Sequence, residues 1–141
     1  MASTILYGTA TFDSGTPMKI LVIEDSLFLR FAIEKVLHKG GHEVTSVADG
    51  RAGLSAARTA LPELILLDMM LPSLDGTSVL KELKQDPSTS RIPVIVLSSL
   101  PQKNEERLKK AGASAYVAKS ELNFDKNADL LLAVVEKTTR N

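Results

Sequence analysis

The sequence predicts an α/β protein in which a doubly wound, five-stranded parallel sheet is flanked by five helices. Three observations predict it. From Lys19 onward, short β-branched runs alternate with amphipathic segments in a regular strand-helix rhythm. Four of the runs, KILVI, ELILL, PVIVL and SAYVA, each stop at a residue with chemistry to offer: the acidic pair Glu24-Asp25, then Asp68, Ser98 and Lys119. Finally, the chain has 141 residues, 44% of them apolar, which is one domain's worth of length and enough to bury a proper core.

The first strand is expected at 19–23. Ser26 caps the first helix, in which Leu29, Ile33, Val36 and Leu37 recur at helical spacing as a core-facing stripe, and Gly40-Gly41 stops it. The second strand, expected at 43–47, has the weakest signal of the five. A second helix follows the Asp49-Gly50 turn and ends before Pro62, since a residue preceding proline is pushed out of the helical region. The third strand is expected at 63–67, and the third helix runs from Asp75 to just before Pro87. After a fourth strand at 93–97, the segment QKNEERLKKAG has many charges and few apolar anchors, so the fourth helix is expected to be the loosest. A strand at 113–117 and a helix presenting Leu131, Val134 and Val135 complete the series. Residues 1–17 stand outside the rhythm and are read as an N-terminal extension to a domain spanning 18–141. Their Thr, Ile, Leu, Tyr and Phe content suits an edge strand or a subunit contact, and an unordered tail equally well.

Composition excludes several function classes. Seventeen basic residues balance 17 acidic ones with no long block of one sign, so there is no electrostatic case for nucleic acid or an anionic membrane as a direct partner. The absence of cysteine removes disulfides and thiol catalysis and restricts any metal site to oxygen or His ligands; a reducing cytoplasm suits such a chain. No apolar stretch approaches the roughly 18 to 20 residues of a membrane span, and the polar N-terminus lacks the regions of a signal peptide. Function is expected to reside in local sites of a soluble, cytoplasmic domain.

Open parallel sheets bind ligands beyond the carboxyl ends of their strands, so the carboxylates, hydroxyl and ammonium are expected to converge on one edge. Such a cluster suits a divalent metal and a phosphoryl group. These five positions in this order, with the string LLDMMLPSLDG around Asp68, resemble the receiver domains of two-component response regulators over roughly Lys19 to Lys137. The resemblance implies a flavodoxin-like sheet of order 2-1-3-4-5. It implies Mg2+ held by Glu24, Asp25, Asp68 and the backbone carbonyl of Met70, with Glu24 acting through water. It implies that Asp68 accepts a phosphoryl group from a histidine kinase or histidine phosphotransfer protein, that Ser98 and Lys119 contact that group, and that Ser98 and Tyr116 form the switch. The chain is then a phosphoacceptor switch and not an enzyme in the ordinary sense. Because the sequence ends with the fifth helix, output is expected through protein contacts on the fourth helix, fifth strand and fifth helix, to a downstream partner the sequence does not identify; a phosphorylation-dependent dimer is also admitted.

Elementary chemistry agrees with these roles. A carboxylate attacks phosphorus without a base to remove a proton, Mg2+ prefers near-octahedral oxygen ligands, and an ammonium is a compact charge for a phosphoryl oxygen. There are departures from the family pattern. Ser120 stands where a proline joined by a cis peptide is usual, and a cis bond before a non-proline residue costs about 2.5–4 kcal/mol, which leaves the geometry after Lys119 open. Glu24 replaces the commoner Asp, and Ser98 the commoner Thr. Met70 and Leu100 are apolar where a polar side chain would orient an attacking water, so slow self-dephosphorylation is expected. Two enzyme or carrier readings compete. Leu74-Asp75-Gly76-Thr77 superficially resembles the motif of haloacid-dehalogenase-type phosphatases, but Ser73 occupies the position of their nucleophile. A flavodoxin-like flavin carrier needs a hydroxyl-rich phosphate loop after the first strand, and EDSLFLR offers one hydroxyl. A degenerate receiver used only for protein contacts is disfavoured because every functional position is filled.

Overall fold

The computed structural model describes residues 17–99, 105–122 and 128–140. The extension read at 1–17 therefore lies outside the described residues up to position 16, as does Leu100. The elements run β1 (Lys19–Ile23), α1 (Leu27–Lys39), β2 (Glu43–Val47), α2 (Gly50–Ala60), β3 (Leu64–Asp68), α3 (Gly76–Gln85), β4 (Val94–Ser98), α4 (Glu105–Lys110), β5 (Ala115–Ala118) and α5 (Ala128–Thr139). All neighbouring strands pair in parallel, in the order β2-β1-β3-β4-β5. The fold class and strand order are those expected from the sequence.

Period-two alternation along the strands builds two cores. Leu21, Ile23, Ile65, Leu67, Val94 and Val96 point to one face and pack with α2, α3 and Leu108 of α4. Ile20, Val22, Leu64, Leu66, Ile95, Leu97 and Val117 point to the other and pack with Ile33, Val36 and Leu37 of α1 and Leu131 and Val135 of α5. β3 and β4 are buried throughout, as expected for central parallel strands covered on both faces. β2 is a half-exposed edge strand, the physical reason its signal was weak.

The cap expected at Ser26 is in place, and Asp49 and Asp75 cap α2 and α3. The side chains of Ser26, Asp49 and Asp75 accept from the amides of Leu29, Ala52 and Ser78 at 3.2, 2.8 and 2.8 Å. The α1 stripe buries as predicted, with Leu29 half-buried at its upper end. Leu108 is the one buried side chain described in α4, in keeping with a weakly anchored helix. Three strands differ from the expected ranges by one or two residues at each end. β3 and β4 include Asp68 and Ser98, because these residues pair in register with Leu97 and Ala118, and β5 starts at Ala115. No cis peptide occurs among the described residues, so the Lys119–Ser120 bond is trans, and Lys119–Glu121 form a single 3₁₀ turn.

The chain enters this fold through a clamp at the foot of α1. His42 is buried; its Nδ1 accepts from the Met18 amide at 3.1 Å, while the Glu43 amide donates to the Met18 carbonyl at 2.9 Å. Burial holds the His42 imidazole below its ordinary value of 6.5. Between the folded and unfolded values the unfolded chain binds more protons, so stability is present above pH 6.5 and is lost as pH falls below it. Protonation of Nδ1 also removes the acceptor for Met18. Urea midpoints of the wild type are therefore expected to fall more between pH 7 and 5 than those of His42→Gln, whose amide carbonyl accepts without titrating. Parallel curves would remove His42 from the acid response.

Candidate functional site

In-register pairing brings the ends of β1, β3, β4 and β5 to one edge of the sheet, and their terminal residues meet there. Glu24 follows β1 directly, and its amide donates to the Val47 carbonyl at 3.1 Å. Its side chain turns inward, fully buried, where Oε2 accepts from the Ser26 amide at 3.0 Å. Asp68 closes β3 and is 1% exposed. Its Oδ1 accepts from the Met70 amide at 3.2 Å and faces Lys119 Nζ at 2.9 Å. Lys119 also lies 3.4 Å from Glu24 Oε1, so one ammonium joins two buried carboxylates. Ser98 is fully buried at the end of β4. Tyr116 lies half-buried on β5, packed against the core beneath α2 and α3.

The electrostatics follow from burial. Desolvation pushes Glu24 above the ordinary carboxylate value of 4.5; the Ser26 amide opposes the shift and the Asp68 charge reinforces it. For Lys119 burial acts against the ammonium, but the hydrogen bond and charge of Asp68, with the charge of Glu24, outweigh it and raise its pKa. Lys119 is held as a cation.

The arrangement fits a hard cation. Oxygen atoms of Glu24, Asp25 and Asp68 lie within 4.8 Å of one another, with Asp25 exposed at the mouth. Among the described residues, Asp68 Oδ2 is buried without a hydrogen-bond partner and Glu24 Oε1 has a charge contact with Lys119 in place of one. A buried polar atom left unpaired costs about 1–3 kcal/mol, and a cation coordinated by these oxygens would remove that cost. Oxygen-only donors suit Mg2+.

Glu24, Asp25, Asp68, Ser98 and Lys119 reach this edge, and Met70 is 62% exposed at the rim; Leu100 lies outside the described residues. Two supports escaped the sequence reading. Arg30 donates from Nη1 to the Glu24 carbonyl at 3.1 Å, fixing the backbone of the acidic pair, and Gly76 packs directly beneath Asp68. Arg30 sits one turn beyond the Ser26 cap, but nothing in its spacing says that it folds back.

Comparison with known proteins agrees with this geometry. The family model for the response regulator receiver domain matches residues 20–131. The chain belongs to the response regulator receiver domain family. It is 32% identical to Protein PilH of Pseudomonas aeruginosa, over 72% of this chain and 84% of that protein. It is 33% identical to the polar-differentiation response regulator DivK of Brucella anthropi, over 73% and 85%. The gliding motility regulatory protein of Myxococcus xanthus is 39% identical over 77% of this chain, which spans 14% of that much longer protein. Among solved structures, the chemotaxis response regulator CheY4 of Vibrio cholerae superposes with a TM-score of 0.79 at 25% identity, covering 87% of this chain and 99% of that one. The receiver domain of the sensor histidine kinase PA1611 from P. aeruginosa, solved with a magnesium ion in its active-site cleft, gives 0.71 at 31% identity over 86% and 99%. The protein thus carries a two-component signalling domain. Among the described residues no helix is long and apolar enough to cross a membrane.

Proposed function

We propose that residues 18–141 form a phosphorylation-activated switch that accepts a phosphoryl group on Asp68 from a histidine kinase or histidine phosphotransfer protein, with residues 1–17 as an extension. The observation that carries this reading is Asp68 itself: a buried carboxylate, paired through Oδ1 with Lys119 and, among the described residues, unpaired at Oδ2, inside a cluster of three acids. A carboxylate oxygen forms the new P–O bond as the P–N bond of the donor phosphohistidine breaks, and the leaving imidazole takes the bonding pair. No proton need be moved on the acceptor. Lys119, already beside Asp68, meets the charge that develops on the phosphoryl oxygens, and Ser98 supplies a hydroxyl donor from β4. Glu24, Asp25, Asp68 and the Met70 carbonyl would hold Mg2+, which when bound neutralises charge on the phosphoryl group. The magnesium ion in the active-site cleft of the PA1611 receiver supports a cation at this edge.

The extra charge and acceptor oxygens of phospho-Asp68 then bias the region after β4, with Ser98 and Tyr116 as the moving parts. α4 has a single described buried anchor, so it is the element with least to lose in such a shift. Output passes to a downstream protein through α4, β5 and α5, by a one-to-one contact or a phosphorylation-dependent dimer, in the cytoplasm.

Incubation with radiolabelled acetyl phosphate tests the reading. Label is expected with Mg2+ and not after EDTA. Free Mg2+ at ten times its Kd is expected to stabilise the protein by about 1.4 kcal/mol, a rise in Tm of about 3–6 °C for a domain of this size. Label that persists in EDTA, with no thermal shift, would exclude the metal-assisted reading. A kinetic expectation concerns Met70 and Leu100. If apolar bulk there excludes an oriented water, Met70→Asn with Leu100→Glu loses its phosphoryl group about 10-fold faster than the wild type, a modest share of what positioning contributes to rate. Equal decay rates would mean that neither side chain shields the group.

A further inference from the structure

The loop between β3 and α3 holds a conformation that its own sequence does not favour. Among the described residues two besides glycine have a positive φ, Leu61 at 46° and Ser73 at 66°. Leu61 is the left-handed C-cap of α2, an ordinary place for such a residue. Ser73 ends no helix. It stands at the centre of a three-residue turn in which the Leu74 amide donates to the Pro72 carbonyl at 2.8 Å. A positive φ closed by that hydrogen bond is the pattern of the rarer, strained γ-turn, and a serine, with its Cβ, fits it less well than glycine. A residue in so sparsely populated a region persists where its surroundings over-determine it.

The start of α2 supplies that determination. Ser73 Oγ donates to Asp49 Oδ1 at 3.2 Å and accepts from the Arg51 amide at 3.4 Å. The same Asp49 oxygen accepts from the Ala52 amide at 2.8 Å, so the helix cap and the tether share one atom. Beside them the Gly50 amide donates to the Pro72 carbonyl at 3.3 Å, and a Cβ on Gly50 would overlap the Leu74 carbonyl oxygen. The helix therefore begins in direct contact with the turn, and it is anchored in the core through Leu54 and Ala57. At the base of the loop the Gly76 amide donates to the Met69 carbonyl at 3.1 Å, and the Met70 amide meets Asp68 Oδ1 at 3.2 Å. The stretch from Met70 to Asp75 is thus closed at its base and pinned at its tip.

We propose that Asp49 and Ser73 are positioning residues of the phosphoacceptor site, a tether that locks the loop after β3 so that the Met70 carbonyl is held for the cation. This rests on the reading in which that carbonyl helps to hold Mg2+. A backbone carbonyl has no rotamer of its own; its direction is set by φ and ψ along the loop. Without the tether Ser73 is free to return to negative φ, and the loop moves with it. Loss of the partners that orient a metal ligand typically costs roughly 10–100-fold in affinity.

Two measurements on the full chain keep the tether and the cation apart. In metal-free protein the Gly50 and Leu74 amides report the turn, because both donate to the Pro72 carbonyl. Their hydrogen exchange is expected to be about 10-fold faster in Ser73→Ala, which lacks Oγ and keeps the cost of a positive φ. Asp49→Ser retains a capping oxygen for α2 while withdrawing the carboxylate from Ser73, and is expected to behave as Ser73→Ala does, with the double variant no worse than either. Calorimetric titration with Mg2+ is expected to show Kd raised about 10-fold by Ser73→Ala and by Asp49→Ser. Ser73→Asn tolerates the left-handed region and offers an amide donor to Asp49, so it is expected to restore both readouts. Position 73 is exposed, and a defect of stability alone would leave the Kd of the folded protein unchanged. The proposal is overturned if Ser73→Ala exchanges or binds Mg2+ as the wild type does, or if Ser73→Asn binds no better than Ser73→Ala. Wild-type protein that binds no Mg2+ would overturn the cation reading, and with it the role given to the tether; the exchange data distinguish that result from a tether that does not exist.

Discussion

Asp68→Asn is expected to reduce phosphoryl labelling by acetyl phosphate to background while leaving a folded domain. The amide is isosteric, and its oxygen can still accept from the Met70 N–H that now bonds Oδ1 at 3.2 Å. What it lacks is the charge: it is no nucleophile toward phosphorus, offers a poorer ligand to a cation, and no longer pairs with the Lys119 ammonium now 2.9 Å away. Lys119 keeps Glu24 as a partner at 3.4 Å, so the variant does not strand a buried charge, and its Tm is expected within a few degrees of the wild type. Labelling and thermal unfolding measured on the same preparation decide the matter. Undiminished label in a folded Asn variant would move the phosphoacceptor elsewhere. Loss of label together with the fold would show that Asp68 was needed for structure.

Gly76→Ala is expected to be among the most destabilising single changes near the site. By helix propensity alone the substitution should stabilise, since alanine is favoured over glycine by up to about 1 kcal/mol in a helix. Packing reverses the sign. A Cβ at position 76 would stand 2.4 Å from the Asp68 carbonyl oxygen and 2.5 Å from the Met69 Cα, both backbone atoms that no rotamer change can move aside. Overpacking costs about 1–3 kcal/mol and occasionally more, and a backbone clash belongs at the upper end. A loss of about 3 kcal/mol corresponds to a fall in Tm of roughly 10 °C. Because the displaced atoms belong to Asp68 and Met69, labelling is expected to weaken together with stability. A variant as stable as the wild type would show that the loop after β3 yields freely and does not hold Asp68 in place.

Gly76 also marks where the sequence stops being legible. The start of the third helix at Asp75 is legible, because the Asp75 side chain meets the Ser78 amide three residues on, within one turn of chain. That the glycine must also lie against the backbone of Asp68 depends on how the loop folds over the end of β3, and no local pattern reports it. The shift of Asp68 and Ser98 from just past their strands to the last paired position has the same origin: strand ends are set by the partners Leu97 and Ala118. Arg30 reads as an ordinary helix residue until the tertiary structure sets its guanidinium on the Glu24 carbonyl.

The sequence by itself determined the elements and the inventory of the site. Strand runs, the cap at Ser26, the helix starts after the Asp49-Gly50 turn and at Asp75, and the order of Glu24, Asp25, Asp68, Ser98 and Lys119 are local or linear properties, carried by side chains within a few residues of one another. The tertiary structure decided how those residues are used. Lys119 joins Glu24 and Asp68, one Asp68 oxygen is left unpaired among the described residues, and Leu27, Phe28 and Phe31 face outward, because these facts depend on the register of strands distant in sequence and on which helix face the two cores consume. Contacts across a parallel sheet leave no period in the chain, and for that reason the site's residues could be named from sequence while its pairing could not.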